Sequence, residues 1–490
     1  MAAELDPKLI NIQPDSGWRK LPMIGAGAAV LGLLIAGASM DTTTMEGVRK
    51  FWTSYLHGLY VALALGFGGA FFVVVQHVVR AGWSVVVRRI AENAALTLPI
   101  TGLFLLPILM GSDPHHGHGD EAQEDAVEEV ASKLAGQGDE CDVDDHHDLV
   151  ASRDACGQGL WCDPWKHSCE PEPPFLGSAC NSDADCASGM VCEDHDSDGQ
   201  TTCENHAPAL TPGYTHLYEW THTDVVKNDS MLLAKAPYLN ITAARIRYFI
   251  WYLPAMFFIG FMFWNWSVKQ DKSTEPEVYA HKQRRWSALG VIAFALTISF
   301  SAFDYLMSLD PHWFSTMFGV YYFCGIALSV MAFLCVIAFL LQRAGYLKGV
   351  VTVEHYHDLG KFLFGFTVFW TYIAFSQYFL IWYADIPEET HWFGYRSHGQ
   401  WLYLSLLLVF GRFVLPWFAM LRRIIKRTPL ALAIVACWVV AFGFIDIYFL
   451  VAPAHAHHSH VHHLIVGSEH FDPELAHEAA TTIHFGLVDG

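Results

Sequence analysis

Two aspartates, an arginine and a histidine stand where ionisable side chains are expensive. Asp304, Asp446, Arg412 and His57 each lie within an apolar run of more than twenty residues. A charge at the centre of a bilayer costs roughly 2.5–3.5 kcal/mol on insertion scales, so each group needs an internal partner. Carboxylates and an imidazole held in this way suit proton exchange. At 1.5 Å per residue, Asp304, Asp446 and His57 fall at one level, roughly 7–9 Å below one boundary of the hydrocarbon, while Arg412 falls near the middle. A second set, His77, Glu92, Glu354, His355, His357, Asp358 and Lys361, clusters toward the other boundary. This division suits a quinone-head pocket or an outward-opening proton half-channel, with a second polar opening from inside. The plainer alternative is that Arg412 neutralises an aspartate to fix the bundle, and that His77 and the inner loop residues are interfacial.

The elements that must position these groups are transmembrane helices. The chain has 490 residues, of which 53% are hydrophobic and 16% charged, a composition far from that of a soluble multidomain protein. Nine apolar runs are long enough to cross about 30 Å of hydrocarbon: 21–40, 51–79, 94–110, 246–267, 286–309, 317–342, 359–382, 400–424 and 430–451. Barrel strands are shorter and alternate in polarity, so the expected fold is all-α, a polytopic bundle of nine spans. With the N-terminus inside, 18 of the 29 Lys and Arg residues flank the spans on the cytoplasmic side, including Arg88, Arg89, Arg284, Arg285, Arg422 and Arg423. Excess basic residues mark the inner side, so the long segment after the third span and the C-terminal tail are expected outside. A cleaved signal peptide is disfavoured, because the polar stretch before the first run is long and contains Glu4 and Asp6. Small residues four apart, such as Ala62, Gly66 and Ala70, read as close helix packing.

The net charge of −20 comes from one place, since residues 112–206 hold 24 acidic against three basic residues. No basic face supports nucleic-acid binding. The same region carries eight of the eleven cysteines, Cys141, Cys156, Cys162, Cys169, Cys180, Cys186, Cys192 and Cys203. Their even number, the absence of a C-x2-C pair and the expected oxidising location favour disulfides in two tandem four-cysteine modules over a zinc site. Asp194, Asp196 and Asp198, followed by Gly199, form the first half of a calcium loop, but its twelfth position is Asn205 rather than a bidentate Glu. A solvated acidic loop is the competing reading. Residues 121–140 read as an acidic linker, and the histidine-rich tract 455–463 as a site of unselective metal uptake.

Cofactors are bounded by the same arithmetic. Histidines within spans occur only at His57 and His77, roughly 30 Å apart along one helix, so a bis-histidine haem is disfavoured. Cys324, Cys335 and Cys437 cannot supply four thiolates to an iron–sulfur cluster, and no phosphate-binding loop occurs. The chain is expected to bind no cofactor by itself.

Several long segments resemble a known family: SAFDYLMSLDPHWFSTMFGVYYF (301–323), HDLGKFLFGFTVFWTYIAFSQYFLIWYADIPEETHW (357–392), KAPYLNITAARIRYFIWY before the fourth run, and SYLHGLYVALALGFGGAFFVVVQHVVRAGWSVVVRRIAE in the second. They are similar to the polysulfide-reductase NrfD-like membrane subunits of bacterial alternative complex III, most closely the ActF-type, second such subunit. The resemblance implies a core subunit of a quinol-oxidising respiratory complex in a bacterial inner membrane, with quinone or menaquinol as substrate. Implied partners are a second NrfD-like subunit, an iron–sulfur subunit and multihaem cytochrome c subunits, which carry the clusters and haem c; a cytochrome c or a terminal oxidase would accept the electrons. Carried onto this chain, it points first to Asp304 in FDYLMSL, then to His57 and Asp446; Arg412, from its depth in its span, and Asp385 are the further candidates for a quinone or proton pathway. Read from position alone and not from the resemblance, His77, Glu92, Glu354, His357, Asp358 and Lys361 are the candidates for inner proton uptake. The subunit would not be catalytic alone.

Two departures from the family are expected to matter. The eight-cysteine insert interrupts the loop after the third span, and the chain stops at Gly490, about where the family's tenth span would begin, which reads as a C-terminal truncation. The expected organisation is spans 1–3 in residues 1–111, the extracytoplasmic linker and insert in 112–245 with its core at 141–203, spans 4–9 in 246–452, and a periplasmic tail in 453–490. A secondary transporter and a passive membrane anchor for periplasmic redox subunits are the rival functions.

Overall fold

The computed structural model describes residues 45–111 and, with short gaps, 215–466, together with four strand segments between 160 and 205. The side chains of those strands and of residues 455–466 fall outside the described set. So do the expected first span at 21–40, the acidic linker, Asp194, Asp196 and Asp198, the cysteines at 141, 156, 180 and 186, and the tail from 467.

Eight helical spans are described, and each coincides with an expected apolar run. The first is α1 (Met45–Val78). The second is broken into α2 (Val85–Ala95), α3 (Leu98–Leu103) and α4 (Leu106–Met110). Pro99 and Pro107 each fall in the first turn of a new segment, where a missing N–H costs nothing. After a short helix α5 (Ser230–Lys235), the third span runs through α6 (Ile241–Arg247), α7 (Leu253–Met256) and α8 (Phe263–Lys272), with π-helical turns at Tyr248–Tyr252 and Phe257–Met262. The fourth span is α9 (Pro276–Tyr305), the fifth α10 (Phe318–Arg343) and the sixth α11 (Val353–Ala384). Helix α12 (Pro387–Gly394) leads into the seventh span, formed by α13 (Gly399–Leu408), a π turn at Val409–Val414 and α14 (Leu415–Leu421). Helix α15 (Arg423–Arg427) precedes α16 (Pro429–Val466), the eighth span. The helix therefore continues twelve residues past Ala454, and the histidine-rich stretch expected to be tail is helical backbone.

The pairing of spans repeats. The first packs on the second and fourth as the fifth packs on the sixth and eighth; the first and fifth meet centrally, and the first touches the eighth as the fifth touches the fourth. The eight spans are two four-helix halves in parallel orientation, a parallel internal repeat rather than an inverted one. Glycine permits the closest approaches. A Cβ on Gly69 would lie 2.5 Å from the Ala91 carbonyl oxygen, and one on Gly68 2.6 Å from Val330. Gly66 and Ala70 serve the same packing, as the small-residue spacing implied.

Residues 113–214 and 220–236 form a separate unit. Strand β1 (Leu160–Asp163) pairs antiparallel with β2 (Ser168–Pro171), and β3 (Met190–Glu193) with β4 (Thr202–Asn205). The two hairpins share one register, which sets Cys162 opposite Cys169 and Cys192 opposite Cys203. Of the cysteines whose side chains are described, Cys324 and Cys335 are buried free thiols, and Cys437 is free and exposed.

Candidate functional site

Both aspartates are buried, Asp304 at 1% exposure and Asp446 at 3%. Each has its own tyrosine and its own arginine. Asp304, in the last turn of α9, accepts from Tyr252 (2.6 Å) and Tyr238 (2.7 Å) and pairs with Arg247 at 2.7 Å. Asn240 caps α6 by accepting from the Ala243 amide at 2.7 Å, which fixes where the helix carrying Arg247 begins. Arg247 also lies over the Tyr238 ring and donates to the Tyr238 carbonyl. Burial first, then the Asp304 charge, raises the Tyr238 phenol above its ordinary range, so it remains a donor.

In the second half, Asp446 of α16 accepts from Tyr321 at 2.5 Å and pairs with Arg412 at 3.3 Å. Arg412 also donates to the carbonyls of Phe442 (2.8 Å) and Gly325 (3.1 Å). An ionised pair in an apolar bundle holds only when its remaining donors are mostly satisfied in this way. Gly325 admits the guanidinium, since a Cβ there would lie 3.0 Å from the Asp446 carboxylate and 3.3 Å from Arg412.

A proline explains how each centre is displayed. Pro254 and Pro416 cannot donate to the preceding turn, and π-helical turns precede both. Tyr252 sits on the first of these and Arg412 on the second. The Gly411 carbonyl, on the widened turn, accepts from the Trp438 indole at 2.7 Å.

Buried tyrosines lie between the two acids. Tyr252 and Tyr305 rings are 5.8 Å apart, and Tyr218 donates to the Tyr305 carbonyl at 3.0 Å. Tyr60 donates to the Ser301 carbonyl at 2.7 Å, its ring lies 5.6 Å from that of Tyr322, and Tyr322 donates to the Tyr60 carbonyl at 3.4 Å. The Tyr305 hydroxyl is buried without a hydrogen-bond partner. Beside Asp446, a cavity of about 10 Å³ is bordered by Tyr322, Ser329 and Arg412, close to the lower limit for one water.

The remaining expected residues are dispersed. His57 bonds the Phe444 carbonyl at 3.1 Å and packs edge-on to Tyr448, so it contacts the backbone of α16 near Asp446 and is not paired with Asp304. Asp385 is exposed at the left-handed C-cap of α11 (φ 52°), apart from both centres. Arg412, expected to stand between two titratable sets, is the partner of Asp446. At the opposite ends of the spans, Glu92 pairs with Arg88 and Arg89, Glu354 with Arg427, and Lys361 with Asp358. His77 is buried beside Phe263 with its Nε2 unbonded. Gln283, which the sequence did not single out, is fully buried with both side-chain polar atoms unbonded. A third acid was also missed: Asp310 accepts from Tyr395 at 2.7 Å and lies 3.2 Å from His391.

The fold and these centres together define a class: an integral membrane helical bundle with one tyrosine- and arginine-bound aspartate in each half. No family model matches the sequence, and no curated protein is similar to it. Among the described residues no group of three metal-ligating side chains converges.

Proposed function

We propose that the chain is a proton-handling membrane subunit of a quinol-oxidising respiratory assembly of the alternative complex III type, in a bacterial inner membrane. The observation that carries the proton part is the pairing of two buried aspartates with tyrosine hydroxyls, Asp304 with Tyr252 and Tyr238, and Asp446 with Tyr321. A carboxylate bonded to a phenol accepts a proton without losing its partner, and a phenol can pass one on. Tyr305, Tyr60 and Tyr322 line the way between the two centres, but the hydroxyls of Tyr60 and Tyr322 donate to backbone carbonyls and that of Tyr305 has no partner, so a transverse relay along them would need water, for which the small cavity beside Asp446 has room for about one. The assignment to a quinol-oxidising assembly rests on the family resemblance of the motifs around Asp304 and residues 357–392. It brings with it the quinone substrate, the second NrfD-like subunit, and iron–sulfur and multihaem cytochrome c partners. Disulfides in the periplasmic eight-cysteine insert belong to the same proposal, and the hairpin register supports pairing Cys162 with Cys169 and Cys192 with Cys203.

The parallel repeat favours a secondary transporter as the second reading. Against it, the cavity that Arg412 and Asp446 themselves border is of water size, and neither aspartate lines the larger cavity among the last four spans. Gentle solubilisation followed by identification of co-purifying chains separates the two. Haem- and iron–sulfur-bearing partners are expected, and in that assembly, reconstituted in vesicles, Asp304→Asn and Asp446→Asn should each lower proton release per electron at least twofold. Solitary purification with solute uptake would replace this reading by the carrier. Unchanged proton yield in both variants would leave a passive anchor.

A further inference from the structure

The last four spans enclose a cavity of about 530 Å³, within the roughly 300–1,000 Å³ typical of small-molecule sites. Its wall is mainly aromatic, with Phe318 of α10, Trp370 of α11 and Trp392 of α12 prominent. Phe375, Leu406 and Val409 also line it and expose their side chains on the apolar exterior, so the cavity opens sideways toward hydrocarbon. Among its lining residues one is ionised, Arg396.

Arg396 is 1% exposed. Its guanidinium lies 3.5 Å over the Trp392 ring and donates to the carbonyls of Trp392 (2.9 Å), Phe449 (3.3 Å) and Leu450 (3.4 Å). Among the described residues no carboxylate stands within 4 Å of it; the nearby acid, Asp310, is engaged by Tyr395 and His391. Carbonyl dipoles solvate a cation without cancelling its charge, and Asp310, reached through the shared Tyr395, offsets it only from beyond ion-pair distance, so the cavity side of Arg396 can still take an opposite charge at contact. Arg396 precedes the start of its span at Gly399 by three residues, which places it at headgroup depth with the aromatic slot alongside.

We propose that this cavity binds an anionic amphiphile, its oxyanion head against Arg396 and its hydrocarbon in the slot lined by Phe318, Trp370 and Trp392. A fatty-acid carboxylate and the phosphodiester of an anionic phospholipid share this chemistry. The cavity borders the Asp446 centre at Tyr321 and at Trp370, whose ring lies 4.9 Å from the Arg412 guanidinium, but its oxyanion site at Arg396 uses neither aspartate, so lipid retention tests it apart from proton yield.

Native mass spectrometry of the full chain in mild detergent, after incubation with oleate, phosphatidylglycerol or phosphatidylcholine, tests it. One anionic lipid should be retained per chain at a concentration at least tenfold lower than phosphatidylcholine requires. Retention of oleate alone identifies a fatty-acid site, and retention of phosphatidylglycerol identifies a phospholipid site. Arg396→Gln should abolish the preference. Because Arg396 also ties three carbonyls, Ala374→Phe, which fills the slot and leaves the arginine in place, is the second variant and should weaken retention at least tenfold. Equal retention of phosphatidylcholine, undiminished retention in a folded Ala374→Phe chain, or capture of a neutral ring-bearing lipid in place of either anion would overturn the proposal.

Discussion

At the scale of single residues, the Arg412–Asp446 pair is the clearest case of mutual dependence. Arg412 is as buried as Asp304, and its removal leaves a carboxylate with a tyrosine but no cation. Arg412→Met should therefore destabilise the bundle by about 3–5 kcal/mol, and the double variant Arg412→Met/Asp446→Leu should recover most of that loss. Thermal unfolding in detergent measures both, and a double variant as unstable as the single one would refute the pairing argument. The acids themselves were legible in the sequence, because Asp in a long apolar run has no cheap reading. Their partners were not. Tyr321 and Tyr322 are adjacent, yet one donates to Asp446 and the other to the Tyr60 backbone, a division that hydropathy does not encode. Arg247 and Tyr238 lay within a segment used for the family resemblance but drew no attention, since they flank a span and resemble ordinary interfacial residues. Asp385 drew too much attention: it terminates a helix in the open.

At the scale of elements, what was legible was length and continuity, so eight expected runs appear as spans while their internal irregularities do not. Pro254 and Pro416 stand in the sequence, but only the backbone shows that the helix is interrupted beside each by a π turn, one carrying Tyr252 and the other Arg412. Trp438 provides the hydrogen bond for the Gly411 carbonyl on the second of these turns. Trp438→Phe should cost about 1–3 kcal/mol if that carbonyl finds no other donor, and thermal shift against the parent chain reads the difference. Helix contact sets another limit. At Gly69 the obstacle to a side chain is the backbone of α2, which cannot swing aside as the Leu98 side chain opposite Gly66 can. Gly69→Ala should lose about 1–3 kcal/mol through overpacking. Gly58→Ala, with no atom within 4 Å of the added carbon, should be neutral or stabilise by up to about 1 kcal/mol in the same assay.

For the whole molecule, the charge bias that orients the spans makes a directional prediction. Lys348, between the fifth and sixth spans, and His398, before the seventh, are both exposed and stand at opposite ends of the bundle. In intact cells freed of their outer membrane, His398→Cys should react with a membrane-impermeant maleimide, whereas Lys348→Cys should react only after permeabilisation. The reverse pattern would invert the assignment of sides and place the cysteine-rich insert in a reducing compartment. The internal repeat escaped sequence reading because the halves share architecture rather than residues: the tyrosine of one acid centre and the arginine of the other come from corresponding spans.

The widened turns also alter what a single rod can do. A π turn accommodates one residue beyond the α-helical count, and each α-helical residue advances the helix by about 100°. The stretches before and after Val409–Val414 are therefore out of phase, and an apolar stripe leaving one side resumes on another. The seventh span can thus turn one flank to the aromatic slot near its start and a different flank to its neighbours near its end, like two short pegs joined at an angle of rotation.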